Sequence, residues 1–112
     1  MFEQRFTEFD TVRRYARQLD EDLTEQERAE RLDTLRQFAE FVERTPDEMV
    51  AEIFDVQTRK YRKRGFYAKK IKEFSEGLDL PRGRQVAKGN VIRAFFIANG
   101  RRVPPEMPEW LL

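Results

Sequence analysis

The sequence contains neither cysteine nor histidine. Without cysteine there are no disulfides, no thiol nucleophiles and no thiolate metal sites, which is compatible with a reducing cytoplasm. Without histidine the chain lacks a side chain that is prominent in acid–base catalysis and zinc binding. We therefore expect that the chain is not an enzyme by itself and that it uses no metal and no other cofactor.

Long apolar runs are missing as well. No stretch approaches the roughly 20 apolar residues that a membrane-spanning helix needs, and the first ten residues, MFEQRFTEFD, are too polar for a signal peptide. These absences predict a soluble cytoplasmic protein with no membrane partner. A chain of 112 residues is long enough for one domain with its own core.

Strand patterns joined by a turn are also absent, and helix signals dominate. The spacing of apolar residues predicts a first helix over about Glu8 to Leu19. A capping box, Thr24 with Glu27, begins a second helix that runs to about Arg44. Its apolar stripe contains Ala29, Leu32, Leu35, Phe38, Ala39 and Val42, broadened by Phe41.

A second capping box begins the next helix, with Thr45 as the cap, Pro46 in the first turn and Glu48 closing the box. Its predicted core residues are Met49, Val50, Ile53 and Phe54.

The following helix carries a narrow apolar stripe made of Tyr67, Ile71, Phe74 and Leu78. Extended backwards, the same stripe would contain Lys60 and Arg64, whose charges are costly to bury. The helix is therefore expected either to bend near Gly65 or to run past the core into solvent.

A last helix over about residues 85–99 is apolar nearly all round from Val91 onward, except at Arg93, which predicts a central position. The fold class is all-α, a compact bundle of four to five helices.

The charge is balanced in total but divided along the chain. Lys and Arg number 22 against 21 Asp and Glu, for a net charge of +1. Residues 1–57 hold 8 basic and 16 acidic side chains, whereas residues 58–112 hold 14 basic and 5 acidic ones. Basic residues concentrated in one region indicate a polyanionic partner.

Two basic segments are the candidate contact sites. Residues 58–72, TRKYRKRGFYAKKIK, contain eight Lys and Arg and no carboxylate; their candidate DNA-binding residues are Arg59, Lys60, Arg62, Lys63, Arg64, Lys69 and Lys70. The start of the last helix supplies Arg82, Arg84, Gln85, Lys88 and Asn90, where free backbone amides favour phosphate.

Each of these sites has a plainer interpretation. The basic run is also typical of a solvated helix face. Gln85 and Asn90 have the right groups to read adenine edges, yet capping and surface roles are equally common for these residue types. Tyr61 and Phe66 either meet a partner or cover a neighbouring helix.

The order of these landmarks resembles a known family. ERLDTLRQFAEFV, TPDEMVAEI, YAKKIKEFSEGL and GRQVAKGNVIRAFFIANGRRVP, from about Thr24 to Pro104, are similar to the N-terminal core-binding domain of tyrosine recombinases, the phage-type integrase family, particularly its archaeal-like members. The resemblance implies a SAM-like bundle that clamps one side of a recombination site. It also implies that the catalytic residues lie in a separate C-terminal domain.

The resulting hypothesis is double-stranded DNA binding by the non-catalytic clamp domain of a site-specific recombinase, acting in DNA integration and recombination. Its other partners would be further recombinase protomers on the DNA. The expected organisation is an N-terminal segment (1–23), the core-binding domain (24–103) and a proline-rich linker (104–112) toward a catalytic domain. The alternatives are a helical protein-interaction module whose basic patch binds an acidic partner, and an RNA-binding helical bundle.

Overall fold

The computed structural model describes residues 5–19 and 21–105. Within them the chain forms five α-helices: α1 (Asp10–Arg17), α2 (Glu25–Val42), α3 (Pro46–Ile53), α4 (Arg64–Glu76) and α5 (Arg82–Ala98). Two short strands, β1 (Phe54–Asp55) and β2 (Lys60–Tyr61), pair between α3 and α4, and one turn of 3-10 helix, Phe6–Glu8, precedes α1. The predicted helical bundle is confirmed at this level. None of the described helices has both the length and the apolar character that crossing a membrane requires.

Both predicted capping boxes are present. At the start of α2, Thr24 Oγ1 accepts from the Glu27 amide and Glu27 Oε1 accepts from the Thr24 amide, each at 3.1 Å. Thr45 and Glu48 repeat the arrangement at 3.1 and 3.0 Å before α3, where Pro46 occupies the first turn. The bond from the cap's backbone amide is the main reason that the pKa of each glutamate carboxyl lies below its usual value. Local sequence alone therefore determines where these two helices begin.

Helix α5 is the centre of the bundle, as its apolar second half predicts. It packs against α1, α2 and α4, and Ile92, Phe95 and Phe96 are fully buried. The Phe95 ring meets Tyr15 edge-on at a centroid distance of 6.0 Å, and Phe96 lies 5.3 Å from Tyr67. Aromatic pairs in such offset arrangements add to the stabilisation that burial provides.

Helix α1 belongs to this core. Val12 and Tyr15 are buried, and the Thr11 hydroxyl donates to Asp47 Oδ1 at the start of α3 at 2.6 Å. Asn99, just after α5, donates from Nδ2 to the Thr11 carbonyl at 3.1 Å. Part of the predicted N-terminal segment 1–23 therefore packs into the same bundle as residues 24–103.

Four predictions about the core need correction. Ala29 and Phe41 lie on the predicted stripe of α2 but are exposed. Phe54 is only half-buried and has left the helix, because α3 ends at Ile53. Arg93 was predicted to interrupt an apolar surface, yet it is buried: its Nε donates to the Pro104 carbonyl at 3.1 Å.

The structure also corrects the segment before α4. The absence of strand patterns predicted no hairpin, but Phe54 pairs with Tyr61 and Asp55 with Lys60 in an antiparallel register. Helix α4 neither bends at Gly65 nor extends backwards, since it begins at Arg64.

The last helix and the linker also differ in detail from the prediction. Helix α5 begins at Arg82, one turn earlier than predicted. Pro104 and Pro105 of the predicted linker are non-helical, and residues 106–112 lie outside the described residues.

Candidate nucleic-acid interface

The basic run 58–64 is shaped by the hairpin. Asp55 Oδ1 accepts from the Gln57 amide at 2.9 Å and the Thr58 amide at 3.4 Å, which folds the loop after β1. Arg59 then adopts a left-handed conformation with φ of 57° and returns the chain into β2. These two loop hydrogen bonds are the main reason that the pKa of the Asp55 carboxyl is lowered. The positive charge of Arg62 lowers it further. The hairpin thereby leaves Arg59 and Lys60 exposed at and beside its loop.

The basic side chains of the run are exposed but not equivalent. Arg62 Nε lies 3.3 Å from Asp55 Oδ2, and Lys63 Nζ lies 3.6 Å from Glu52 Oε2. The Arg64 guanidinium stacks over the Tyr61 ring at 4.4 Å. Among the described residues no acidic group forms an ion pair with Arg59 or Lys60. These two cations at the loop are therefore available to an external anion.

Two further arginines join this end of the bundle from a distant part of the chain. The Arg102 amide donates to the Tyr61 hydroxyl at 2.8 Å, and the Arg101 guanidinium lies over the Phe54 ring at 4.7 Å. Sequence reasoning missed both, although the GRR that follows α5 was a visible signal. We call this set the hairpin cluster: Arg59, Lys60, Arg62, Lys63, Arg64, Arg101 and Arg102.

The second predicted site lies elsewhere. Helices α4 and α5 pack closely with only residues 77–81 between them, and the end of α5 contacts the hairpin that precedes α4. They are therefore antiparallel, which puts the start of α5 at the opposite end of the bundle. The 13 residues of α4 separate the two basic regions by about 20 Å at 1.5 Å per residue.

Several residues of the second site are engaged within the protein. Gln85 Nε2 donates to the Leu78 carbonyl at 2.9 Å, beyond the end of α4, and Asn90 Oδ1 accepts from Arg93 at 3.2 Å. Lys88 is half-buried, with Nζ 3.2 Å from Thr34 Oγ1. Arg82 and Arg84 remain exposed.

The surroundings of this second site are mixed in charge. Arg84 and Lys88 line a groove whose other wall, on α2, carries Glu27 and Glu30. These carboxylates oppose an approaching phosphate, whereas the hairpin cluster combines seven cations with two nearby carboxylates, Glu52 and Asp55. The hairpin cluster is therefore the stronger candidate for anion contact.

Lys69 and Lys70 differ from each other although they are adjacent. Lys69 is exposed, whereas Lys70 is half-buried and pairs with Glu73 at 3.3 Å. The Lys70 ammonium also lies 5.9 Å from the Phe41 ring and 5.7 Å from the Phe66 ring. Lys70 thus belongs to a partly apolar surface and not to the hairpin end.

Glu52 anchors the hairpin cluster to the core. It accepts a short hydrogen bond from the Tyr67 hydroxyl and lies 3.6 Å from both Arg44 Nε and Lys63 Nζ. Burial, followed by the hydrogen bond and negative charge of Glu52, strongly raises the pKa of Tyr67 above 10.0. A tyrosine with a raised pKa in the folded state binds its proton more tightly than in the unfolded state. Its contribution to stability is complete below pH 10.0 and is lost as the pH rises above it.

This linkage predicts the behaviour of Tyr67→Phe, which keeps the ring but cannot ionise. The variant should be less stable than the wild type near neutral pH because Glu52 loses a donor. The stability difference should narrow above about pH 10, since only the wild type has a hydroxyl whose ionisation is coupled to unfolding. Urea unfolding at about pH 8 and about pH 10.5 measures both values. A difference that stays constant over this range would contradict the assignment.

The groove beside the hairpin, about 380 Å³, is open and lined by Glu52, Asp55, Arg62 and Lys63 together with apolar groups. Within residues 5–19 and 21–105, no group of three acidic side chains is placed to hold a metal. Comparison of the chain with protein-family models, with curated proteins and with solved structures found no match.

Proposed function

We propose that this chain binds double-stranded DNA through the hairpin cluster, as the non-catalytic clamp domain of a tyrosine recombinase whose bundle is of the SAM-like core-binding type. The DNA proposal rests on one observation: residues 59–64 lie beside Arg101 and Arg102 at one end of the bundle. Seven cations there are accompanied by two nearby carboxylates, Glu52 and Asp55. The family assignment rests on the sequence resemblance, and the helical bundle is compatible with it.

The physical basis of binding is phosphate neutralisation. Lys and Arg side chains that contact phosphates release condensed counterions, which makes the affinity high at low salt and strongly salt-dependent. A two-stranded ribbon is narrow enough to enter the major groove of a duplex, and the hairpin carries Arg59 and Lys60 at its end. In this arrangement Arg62 and Arg64 would hold the flanking phosphates.

The start of α5 would make a second, weaker contact with the DNA. At about 20 Å from the hairpin, Arg82 and Arg84 would meet phosphates roughly six base pairs away along a straight duplex, given 3.4 Å per base pair. Glu27 and Glu30 of α2, which line the same groove as Arg84, would weaken this second contact. Catalysis would belong to another domain, and further recombinase protomers would occupy neighbouring sites on the DNA.

The decisive variant reverses two cations of the hairpin cluster, Lys60→Glu with Arg102→Glu. Neither side chain forms an ion pair with a described acidic residue, so the fold should be retained. Duplex affinity should fall at least about tenfold, and the slope of log affinity against log salt should decrease by about 2, one for each lost phosphate contact. Fluorescence anisotropy with a labelled duplex at several salt concentrations provides both quantities.

The matched control makes the same charge change at exposed positions outside the hairpin cluster, Arg17→Glu with Lys72→Glu. The control should bind the duplex within about threefold of the wild type. Equal weakening by both double variants would mean that only the total charge matters. Absence of wild-type binding to a duplex at about 50 mM salt would refute the DNA proposal, and tighter binding to an RNA duplex of the same sequence would favour the RNA alternative.

A further inference from the structure

The loop between β1 and β2 carries side chains that phosphate binding does not require. We call residues 56–59, VQTR, the hairpin loop, and all four are exposed. Val56 is 73% exposed, more than any other large apolar side chain of the described residues. A phosphate offers no contact to an apolar group, whereas the methyl group of thymine on the edge of a base pair does.

Gln57 supplies a side-chain amide, which contains both donors and an acceptor. Its backbone amide donates to Asp55 Oδ1, but among the described residues its side chain forms no hydrogen bond. Gln85 and Asn90, which the sequence indicated as candidate readers of adenine, are engaged within the protein. Gln57 therefore replaces them as the candidate, since a side-chain amide pairs with N6 and N7 of adenine.

Arg59 is held in a backbone conformation that is unfavourable for its residue type. Its φ of 57° lies in the left-handed region, which glycine adopts readily and a residue with a Cβ does not. The turn itself therefore gives no reason for an arginine at this position. The guanidinium has no ion pair among the described residues, and its parallel donors match O6 and N7 of guanine.

The hairpin loop is held in place from its base. Asp55 Oδ1 accepts from the amides of Gln57 and Thr58 at 2.9 and 3.4 Å, and the rings of Phe54 and Tyr61 meet edge-on at 5.0 Å. A loop that is already ordered loses little conformational freedom on binding. Four residues reach over at most about 14 Å, which corresponds to roughly four base pairs at 3.4 Å each.

We propose that the hairpin loop reads base edges in the major groove, with Arg59 on guanine, Gln57 on adenine and Val56 on the methyl group of thymine. The inference rests on the proposed DNA binding and adds a sequence preference to it. Phosphate contacts from the rest of the hairpin cluster position the duplex without reading its sequence, whereas contacts to base edges specify it. A two-stranded ribbon in the major groove is one of the established geometries for such reading.

A pool of duplexes with a randomised central segment, selected with the wild-type chain, tests for the preference. The wild type should enrich a short sequence that contains guanine and an A·T pair within about four base pairs. It should bind this duplex at least about tenfold more tightly than a shuffled duplex of the same length, as good base contacts permit. Equal affinity for all duplexes would overturn base reading and leave DNA binding intact, whereas no binding to any duplex would refute both.

Arg59→Gly separates a role in reading from a role in folding. Glycine suits the left-handed φ, so the melting temperature should change little. The ratio of affinities for the enriched and the shuffled duplex should nevertheless fall at least about fivefold. Lys60→Ala is the matched control, since it also removes one cation but should weaken both duplexes alike and keep the ratio. A wild-type ratio in Arg59→Gly would show that Arg59 reads no base.

Base analogues in the enriched duplex test the other two contacts. Uracil in place of thymine removes the methyl group, and 7-deazaadenine in place of adenine removes the N7 acceptor. Each should weaken wild-type binding by about threefold or more. Val56→Ala should be insensitive to the uracil exchange and Gln57→Ala to the deaza exchange, because a contact that is already absent cannot be lost again. No analogue effect in the wild type, or full effects in both variants, would overturn these two assignments.

Discussion

Replacing Phe95 by alanine is expected to lower the free energy of unfolding by about 3 to 5 kcal/mol. The side chain is completely buried in α5 and meets Tyr15 at 6.0 Å and Phe96 at 5.4 Å. Removing the ring leaves a cavity that helices on three sides cannot close without moving. A loss of this size is a large share of the stability of a small domain, so we expect partial or complete unfolding at ordinary temperature. Urea unfolding followed by circular dichroism measures the change.

Ile97→Ala is the matched control for this prediction. Ile97 lies two residues further along the same helix and is 59% exposed. Its truncation should change stability by less than about 0.5 kcal/mol, as is usual for surface positions. If the two variants were equally stable, α5 would not be the centre of the bundle.

Asn99→Ala is expected to have the next largest effect on stability, about 2 to 3 kcal/mol. Asn99 is buried directly after α5 and donates from Nδ2 to the carbonyls of Thr11 at 3.1 Å and Phe95 at 3.0 Å. Its Oδ1 accepts from Arg14 Nη1 at 2.6 Å. Alanine would leave the Thr11 carbonyl without this donor, and removing one partner of a buried hydrogen bond is costly.

The loss should be concentrated in α1, because two of the three bonds join α1 to α5. Amide hydrogen exchange should show lower protection in residues 10–17 than in α2 of the same variant. Gln18→Ala provides the comparison: it removes one longer, partly buried hydrogen bond between the same two regions, from Gln18 Nε2 to the Ala98 carbonyl at 3.3 Å. We expect that control to cost under about 1 kcal/mol. Equal losses in the two variants would show that Asn99 has no special role in holding α1.

Much of the fold was predictable because its signals are local. The two capping boxes each involve residues three positions apart, and both form as predicted. The stripe of α4 places Tyr67, Ile71 and Phe74 in the core. The apolar second half of α5 is buried at the centre, because a helix with apolar residues on all sides is stable only when others surround it.

The hairpin was not predictable by the same means. Its loop lacks the Asn-Gly or Asp-Gly pair that marks a tight turn. The loop is held by hydrogen bonds that Asp55 accepts from two loop amides, and by the left-handed backbone conformation of Arg59. The pairing also continues one residue past the strands, since the Arg62 amide donates to the carbonyl of Ile53, the last residue of α3, at 2.9 Å. A helix pattern could not reveal that Arg62 and Lys63 precede α4 and lie outside it.

The candidate DNA-binding site was also predictable only in part. Composition and order along the chain already placed the basic residues in its second half, and they indicated a polyanionic partner. Which cations act together depends on how α4 and α5 pack: an antiparallel pair brings Arg102 to Tyr61, 41 residues earlier in the chain, and separates both from Arg84. The sequence by itself determined the starts of α2 and α3, the central position of α5 and the supply of charge, since these depend on composition and on neighbours along the chain. The structure was needed to reveal the hairpin, because its loop has no recognisable turn sequence and depends on the Asp55 bonds and on the conformation of Arg59. Only the tertiary structure decided the burial of Arg93 and the grouping of the hairpin cluster, because both depend on contacts between separate segments of the chain.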